Sequence, residues 1–202
     1  MPSTLIVAFA PGARGFTLGK WLLNNKIACA CMNSGSEFNE VNHTFVPWYN
    51  DVLFHFNSET RDTYLKINEL LLDTNLESSE LMELIGTSKH IPFKTQTIPA
   101  LVLTHHATPQ GLIKLKKALN GTVIRITFSD EEQASQSMHR KMKLDNDYLV
   151  AMQLDNVTTF YESTYQSEYI PFLEDFDFAI NVKLDQVNLF DLNFLKDNIS
   201  QQ

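Results

Sequence analysis

Basic residues are in short supply: 16 lysines and arginines stand against 24 aspartates and glutamates in 202 residues, a formal net charge of −8. A field of that sign repels a nucleic-acid backbone and an anionic membrane surface, so neither is expected as a partner and any anion site has to be local. Cysteine is scarcer still, with only Cys29 and Cys31, one residue apart. On a strand the two would point to opposite faces, a bridge between neighbours so close would be strained, and no further ligands at zinc spacing accompany them. They read as reduced core thiols of a cytoplasmic protein. Long apolar runs are missing as well. Met-Pro-Ser-Thr at the N-terminus carries no basic residue, and Leu5–Ala10 behind it is far too short for a signal segment or a membrane span. No internal repeat, low-complexity tract or carboxylate cluster of metal-ligand type stands out, and no metal is expected.

What is present describes a folded chain, since 44% hydrophobic and 20% charged residues leave ample material for a core. The length fits one domain over residues 1–202. Leu5–Ala10 is a continuous apolar run of the kind buried on both faces of a parallel sheet, and it stops at Pro11-Gly12. From Gly15 to Asn25 the period becomes helical. Ala100–Thr104 and Thr122–Thr127 repeat the strand pattern, followed by helices at Pro109–Leu119 and from Ser129 or Asp130 to about Lys143. Phe178–Val182 reads as a fourth strand and Leu189–Asn198 as a closing helix. Between the first and second strands, residues 32–57 are irregular and 58–86 form a helical insertion. Strands alternating with helices predict a three-layer α/β fold, a mainly parallel sheet flanked by helices.

Three segments could carry chemistry. Ala10-Pro-Gly-Ala-Arg-Gly-Phe-Thr-Leu18 joins a buried strand to a helix, where unpaired amides and the helix dipole favour an anion. Gly12 and Gly15 would permit close approach, and Arg14 and Thr17 would add donors. A tight turn without a ligand fits the same residues equally well. The pattern G-x-x-x-x-G-K-[ST] is not met, because Gly19-Lys20 is followed by Trp21, so ATP or GTP hydrolysis is disfavoured. Next, Thr104-His105-His106 lies just past a strand end, the edge where ligands of open α/β sheets collect. Either histidine could act as a general base near neutral pH, or be structural. In the third, Arg125 to Ser137, an arginine and hydroxyls could bind a second phosphate, with simple capping by Ser129 as the plainer reading.

In their order these segments resemble the P-loop sulfotransferase family, which transfers a sulfuryl group from 3′-phosphoadenosine 5′-phosphosulfate to a hydroxyl or amine. Pro11-Gly-Ala-Arg-Gly-Phe-Thr-Leu18 is similar to that family's opening loop P-x-S-G-T-T-W-L, and Thr104-His105 to its threonine-histidine pair. The resemblance spans residues 4–142 and implies a P-loop nucleoside triphosphate hydrolase-like, sulfotransferase-like fold. It implies that Gly12, Ala13, Arg14, Gly15, Phe16 and Thr17 hold the 5′-phosphosulfate, that His105 is the catalytic base, and that Ser135 contacts the 3′-phosphate. The acceptor would be a small molecule or a glycan. Departures are equally specific. The family's 3′-phosphate arginine falls on Thr127, leaving Arg125, two residues earlier on the same strand face, as its candidate replacement. The family's first-loop lysine has no counterpart, Arg14 being the nearest cation, and its late segment R-K-G-x-x-G-D-W-K is absent. A catalytically inactive member of the same fold, serving as a binding or structural module in a larger assembly, is therefore the alternative.

Overall fold

Apolar runs of five to seven residues become strands, and each leads towards a segment of helical period. In a computed structural model, described over residues 4–30, 98–105, 108–151, 165–188 and 191–200, β1 (Thr4–Ala8) is followed by α1 (Gly15–Asn24) and the two-residue β2 (Cys29–Ala30). Then β3 (Ala100–Thr104) precedes α2 (Pro109–Ala118), β4 (Gly121–Thr127) precedes α3 (Glu131–Ala151), and β5 (Ala179–Lys183) precedes α4 (Asn193–Ser200). The expected irregular stretch at 32–57, the helical insertion at 58–86, Cys31 and His106 lie outside the described residues.

All five strands are parallel, in the order β2-β3-β1-β4-β5. This is the α/β arrangement that the alternating pattern predicts, with the first strand between the two expected at 100–104 and 122–127. Thr4–Ala8 align with Ala100–Thr104 on one side and with Gly121–Arg125 on the other. Paired at both edges and covered on both faces, Leu5, Ile6, Val7 and Ala8 retain no exposed surface, which is why this run is continuously apolar and not alternating.

The crossovers set the layers. From β1 the chain moves past β3 to β2, whereas from β3 it moves past β1 to β4, and right-handed crossovers in opposite directions place their helices on opposite faces. α1 lies over the face that carries Leu101 and Leu103, whose side chains close on Gly19 at 3.3–3.4 Å from where a Cβ would stand. Lys196 of α4 lies 5.8 Å from the ring of Trp21 in α1. The chain leaves β1 in one direction and β4 in the other, so the C-terminal ends of these two neighbours form the switch point at which open α/β sheets take ligands, and the loop after β1 emerges there.

Helix limits follow local chemistry. Thr108 caps α2, its Oγ1 accepting from the Gly111 amide at 3.3 Å, and Asn120 in the left-handed region (φ 45°) ends the turn that follows. Asp130, not Ser129, caps α3, its Oδ1 accepting from the Gln133 amide at 3.0 Å. α3 runs on to Ala151, beyond the expected end near Lys143, since no glycine or proline interrupts residues 131–151. α4 begins at Asn193, later than expected. A wide helical turn at Tyr165–Tyr169 and a 3-10 turn at Ile170–Leu173 have no counterpart among the expectations from sequence; they deliver Tyr169 and Phe172 to the core. No helix among the described residues is long and apolar enough to cross a membrane.

Candidate anion-binding site

The loop after β1 is shaped by Pro11 and Gly12. The Ala13 amide donates to the Ala10 carbonyl at 2.9 Å with Gly12 at φ 81°, so Ala10–Ala13 is a type II turn with proline second and glycine third, where positive φ is required. Arg14 follows in the left-handed region (φ 57°, ψ 25°) as the N-cap residue, and its carbonyl accepts the first helical bond from Leu18 at 3.2 Å. The amides of the opening turn, Gly15 to Thr17, have no acceptor within the helix. No side chain caps α1 and no acidic residue stands in its first turn. The Arg14 and Thr17 side chains are exposed, Ala13 is buried and Phe16 is half-buried.

Both loop glycines are needed for packing. A Cβ at Gly15 would stand 2.2 Å from the ring of Phe9, which also meets Phe16 edge-on at 5.9 Å and the His105 ring edge-on at 4.9 Å. A Cβ at Gly12 would stand 2.8 Å from Cβ of Lys141 and 3.0 Å from the Ser137 carbonyl oxygen, because α3 crosses the loop at this point. Tyr169 ties the same turn from below: its hydroxyl donates to the Pro11 carbonyl, and its ring stacks between Phe128 and Tyr165, 6.1 Å from each.

His105 and Gly15 both meet the Phe9 ring, and the His105 Nε2 is enclosed. Burial, and secondarily the charge of Lys141, hold it down to about 3, so the imidazole is neutral at physiological pH. A base whose conjugate acid is that strong takes protons poorly from a hydroxyl at neutral pH.

The remaining candidates diverge from the loop. Arg125 is fully buried, its Nη1 donating to the Glu174 carbonyl and its Nη2 to the Pro171 carbonyl. Its guanidinium also lies 3.7 Å from the ring centre of Phe176 and 4.8 Å from that of Phe172. Burial lowers it to about 10, against the opposing pull of Asp175 and Glu174, which leaves it charged at neutral pH. Thr127 is wholly buried and its carbonyl accepts from the Leu184 amide at 3.0 Å. Ser135 Oγ is 3.3 Å from His139 Nδ1, which in turn lies 2.7 Å from the Ser135 carbonyl, a contact within one turn of α3. Ser129 Oγ donates to Asp185 at 2.7–2.8 Å.

The geometry thus brings Gly15, Phe16 and His105 against Phe9, and gives Arg125, Thr127 and Ser135 other neighbours. Two residues of α3 meet the loop at Gly12: Ser137, which sequence reasoning placed in the third segment and not at this loop, and Lys141, which it did not assign to a site. Their signal is faint but real: with buried Ala134 they fall on one helix stripe at spacings of three and four, so a serine and a lysine occupy positions that face inward. Set against known protein families, curated proteins and solved structures, the chain matches none, and the reading of this site rests on its own geometry.

Proposed function

We propose that this chain is a catalytically inactive, divergent domain of the P-loop sulfotransferase-like kind, serving as a binding module in a larger assembly. The observation that carries this reading is Arg125. The one arginine on the strand end that could replace the family's 3′-phosphate arginine has both ends of its fork on the carbonyls of Pro171 and Glu174 and its flat face on Phe172 and Phe176. A guanidinium so engaged has no donors directed at a nucleotide. His105 supports the same reading, since an imidazole held neutral to about pH 3 is poorly matched to general-base work. Arg14, the nearest cation in the loop, is exposed. What persists from the resemblance is the order of segments and the turn that opens α1.

Incubation with 3′-phosphoadenosine 5′-phosphosulfate carrying a labelled sulfuryl group, and a panel of phenol, amine and glycan acceptors, tests the reading. Transfer at the background rate is expected. Turnover that saturates with donor and disappears in His105→Ala would overturn it and restore the sulfotransferase reading.

A further inference from the structure

Between the end of α2 and the start of β4 the chain has only Leu119 and Asn120 in which to turn from a helix into a strand beside β1. The junction that follows is constrained by two independent causes. Asn120 stands in the left-handed region at φ 45°, which asparagine tolerates better than most residues that carry a side chain. Gly121 is aligned with Thr4 of β1 and buried, and a Cβ there would stand 2.7 Å from Cδ1 of Ile6 and 3.3 Å from the Thr4 carbonyl oxygen. Backbone conformation thus favours an asparagine and core packing demands a glycine, and together they produce Asn-Gly, a pair that occurs nowhere else in the 202 residues. Asn120 is exposed, and its amide donates to the Lys117 carbonyl at 3.3 Å, long for such a bond, so the turn is lightly held.

We propose that Asn120 is a site of spontaneous covalent modification, where the side-chain carboxamide is lost and the backbone rearranges to isoaspartate. The Gly121 nitrogen gives up its proton to hydroxide and attacks Cγ of Asn120. The N–Cγ bond forms, the Cγ–Nδ2 bond breaks, and ammonia leaves behind a five-membered cyclic imide. Water then opens the ring: cleavage of the N–Cγ bond gives aspartate, and cleavage of the original peptide bond gives isoaspartate, with the chain running through Cβ and Cγ. Because residue 121 has no side chain, nothing on it obstructs the approach of its nitrogen. The attack requires Asn120 to leave its native turn, a local opening of the kind that frays helix ends. Both products add a negative charge, but only isoaspartate lengthens the main chain by an atom. Gly121 has no slack to absorb that atom, being aligned with Thr4 and packed on Ile6, so the isoaspartyl form disturbs the entry of β4 beside β1. No ligand takes part, and the modification is independent of the binding-module reading.

Ageing the purified chain at mildly alkaline pH, followed by tryptic mass mapping, tests it. The mass gain of an –NH2 replaced by –OH should appear first in the fragment Ala118–Arg125, and faster as hydroxide rises. The aged protein should also accept methyl groups from S-adenosylmethionine in the presence of an isoaspartate-specific carboxyl methyltransferase. Asn120→Gly, which keeps a left-handed backbone available and leaves Gly121 in place, should lose both signals at this fragment. Freshly prepared Asn120→Asp, which has the charge without the extra atom, should unfold in urea close to wild type, whereas the isoaspartyl fraction should unfold at lower urea. A mass gain equal in wild type and Asn120→Gly, or one that falls first on other fragments, would overturn the site. Isoaspartate at residue 120 with the unfolding midpoint of the fresh protein would overturn its effect on β4.

Discussion

Arg125 is the largest side chain with no exposed surface among the described residues, and it replaces in the core what an aromatic or leucine would usually supply. Its stem crosses β4 while its head satisfies two carbonyls of the segment before β5. Arg125→Met keeps the stem but strands both carbonyls, and at about 1–3 kcal/mol for each it should lower unfolding free energy by roughly 3 kcal/mol or more in urea titrations. Arg125→Lys, with one compact head in place of a planar fork, should recover less than half of that. A residue meant for a solvent-facing phosphate would show the opposite pattern, with little stability lost in either variant. His105 gives a second residue-scale prediction. Its folded value of about 3 lies below the ordinary 6.5, so the unfolded chain binds the extra proton first. Its contribution to stability is complete above about pH 6.5 and is lost as pH falls towards 3, at up to about 1.4 kcal/mol per pH unit. Carboxylates add slopes of their own, so the informative quantity is the difference between wild type and His105→Phe, which keeps an aromatic ring against Phe9. Urea titrations at pH 7 and pH 4.5 should show the wild type losing more than the variant; parallel losses would mean that His105 is solvated.

Among the elements, the contact of α3 with the loop decides where the candidate site lies. Gly12 combines a left-handed backbone with a gap that Lys141 already fills, so Gly12→Ala must both strain φ and push α3 away. A loss of about 2–3 kcal/mol is expected, along with displaced amide resonances at residues 137–141; a neutral result would show that α3 does not rest on the turn. How far the sequence anticipates these elements depends on what each signal reports. The limits of β3 and the start of α2 are legible because Thr108-Pro109 is a capping pair and Ala100–Leu103 is wholly apolar, both purely local properties. The type II turn is equally legible in Pro11-Gly12. The partners of Arg125 are not, because the chain that meets it lies at Pro171 and Glu174, far along the sequence and without period. Sequence spacing places Arg125 and Thr127 near the end of a strand at the ligand edge, but it cannot say that the first is drawn into the core by Phe172 and Phe176. Lys141 is hidden for the converse reason. Near the charged stretch His139-Arg140-Lys141 it looks like one more cation complementing the helix end, and only the path of α3 over Gly12 turns it inward.

For the molecule as a whole, order radiates from one strand. β1 has neighbours on both edges and helices over both faces, whereas β2 has two residues and β5 is half-buried along most of its length. Amide exchange should follow that gradient, slowest for residues 5–8 and 101–103, intermediate in β4, and fastest at β5 and in α4. Uniform protection across all five strands would contradict it. The same central position of β1 has a consequence during synthesis. Thr4 aligns with Ala100 and with Gly121, so the strand that will become the middle of the sheet is made long before either neighbour exists. Through that interval a run of fully apolar residues has no native partner, and loop-closure entropy delays its pairing even after the neighbours have emerged. The nascent chain therefore passes through its most aggregation-prone period before residue 127 is made, and crowding, holdase chaperones and translation rate act on this protein chiefly there.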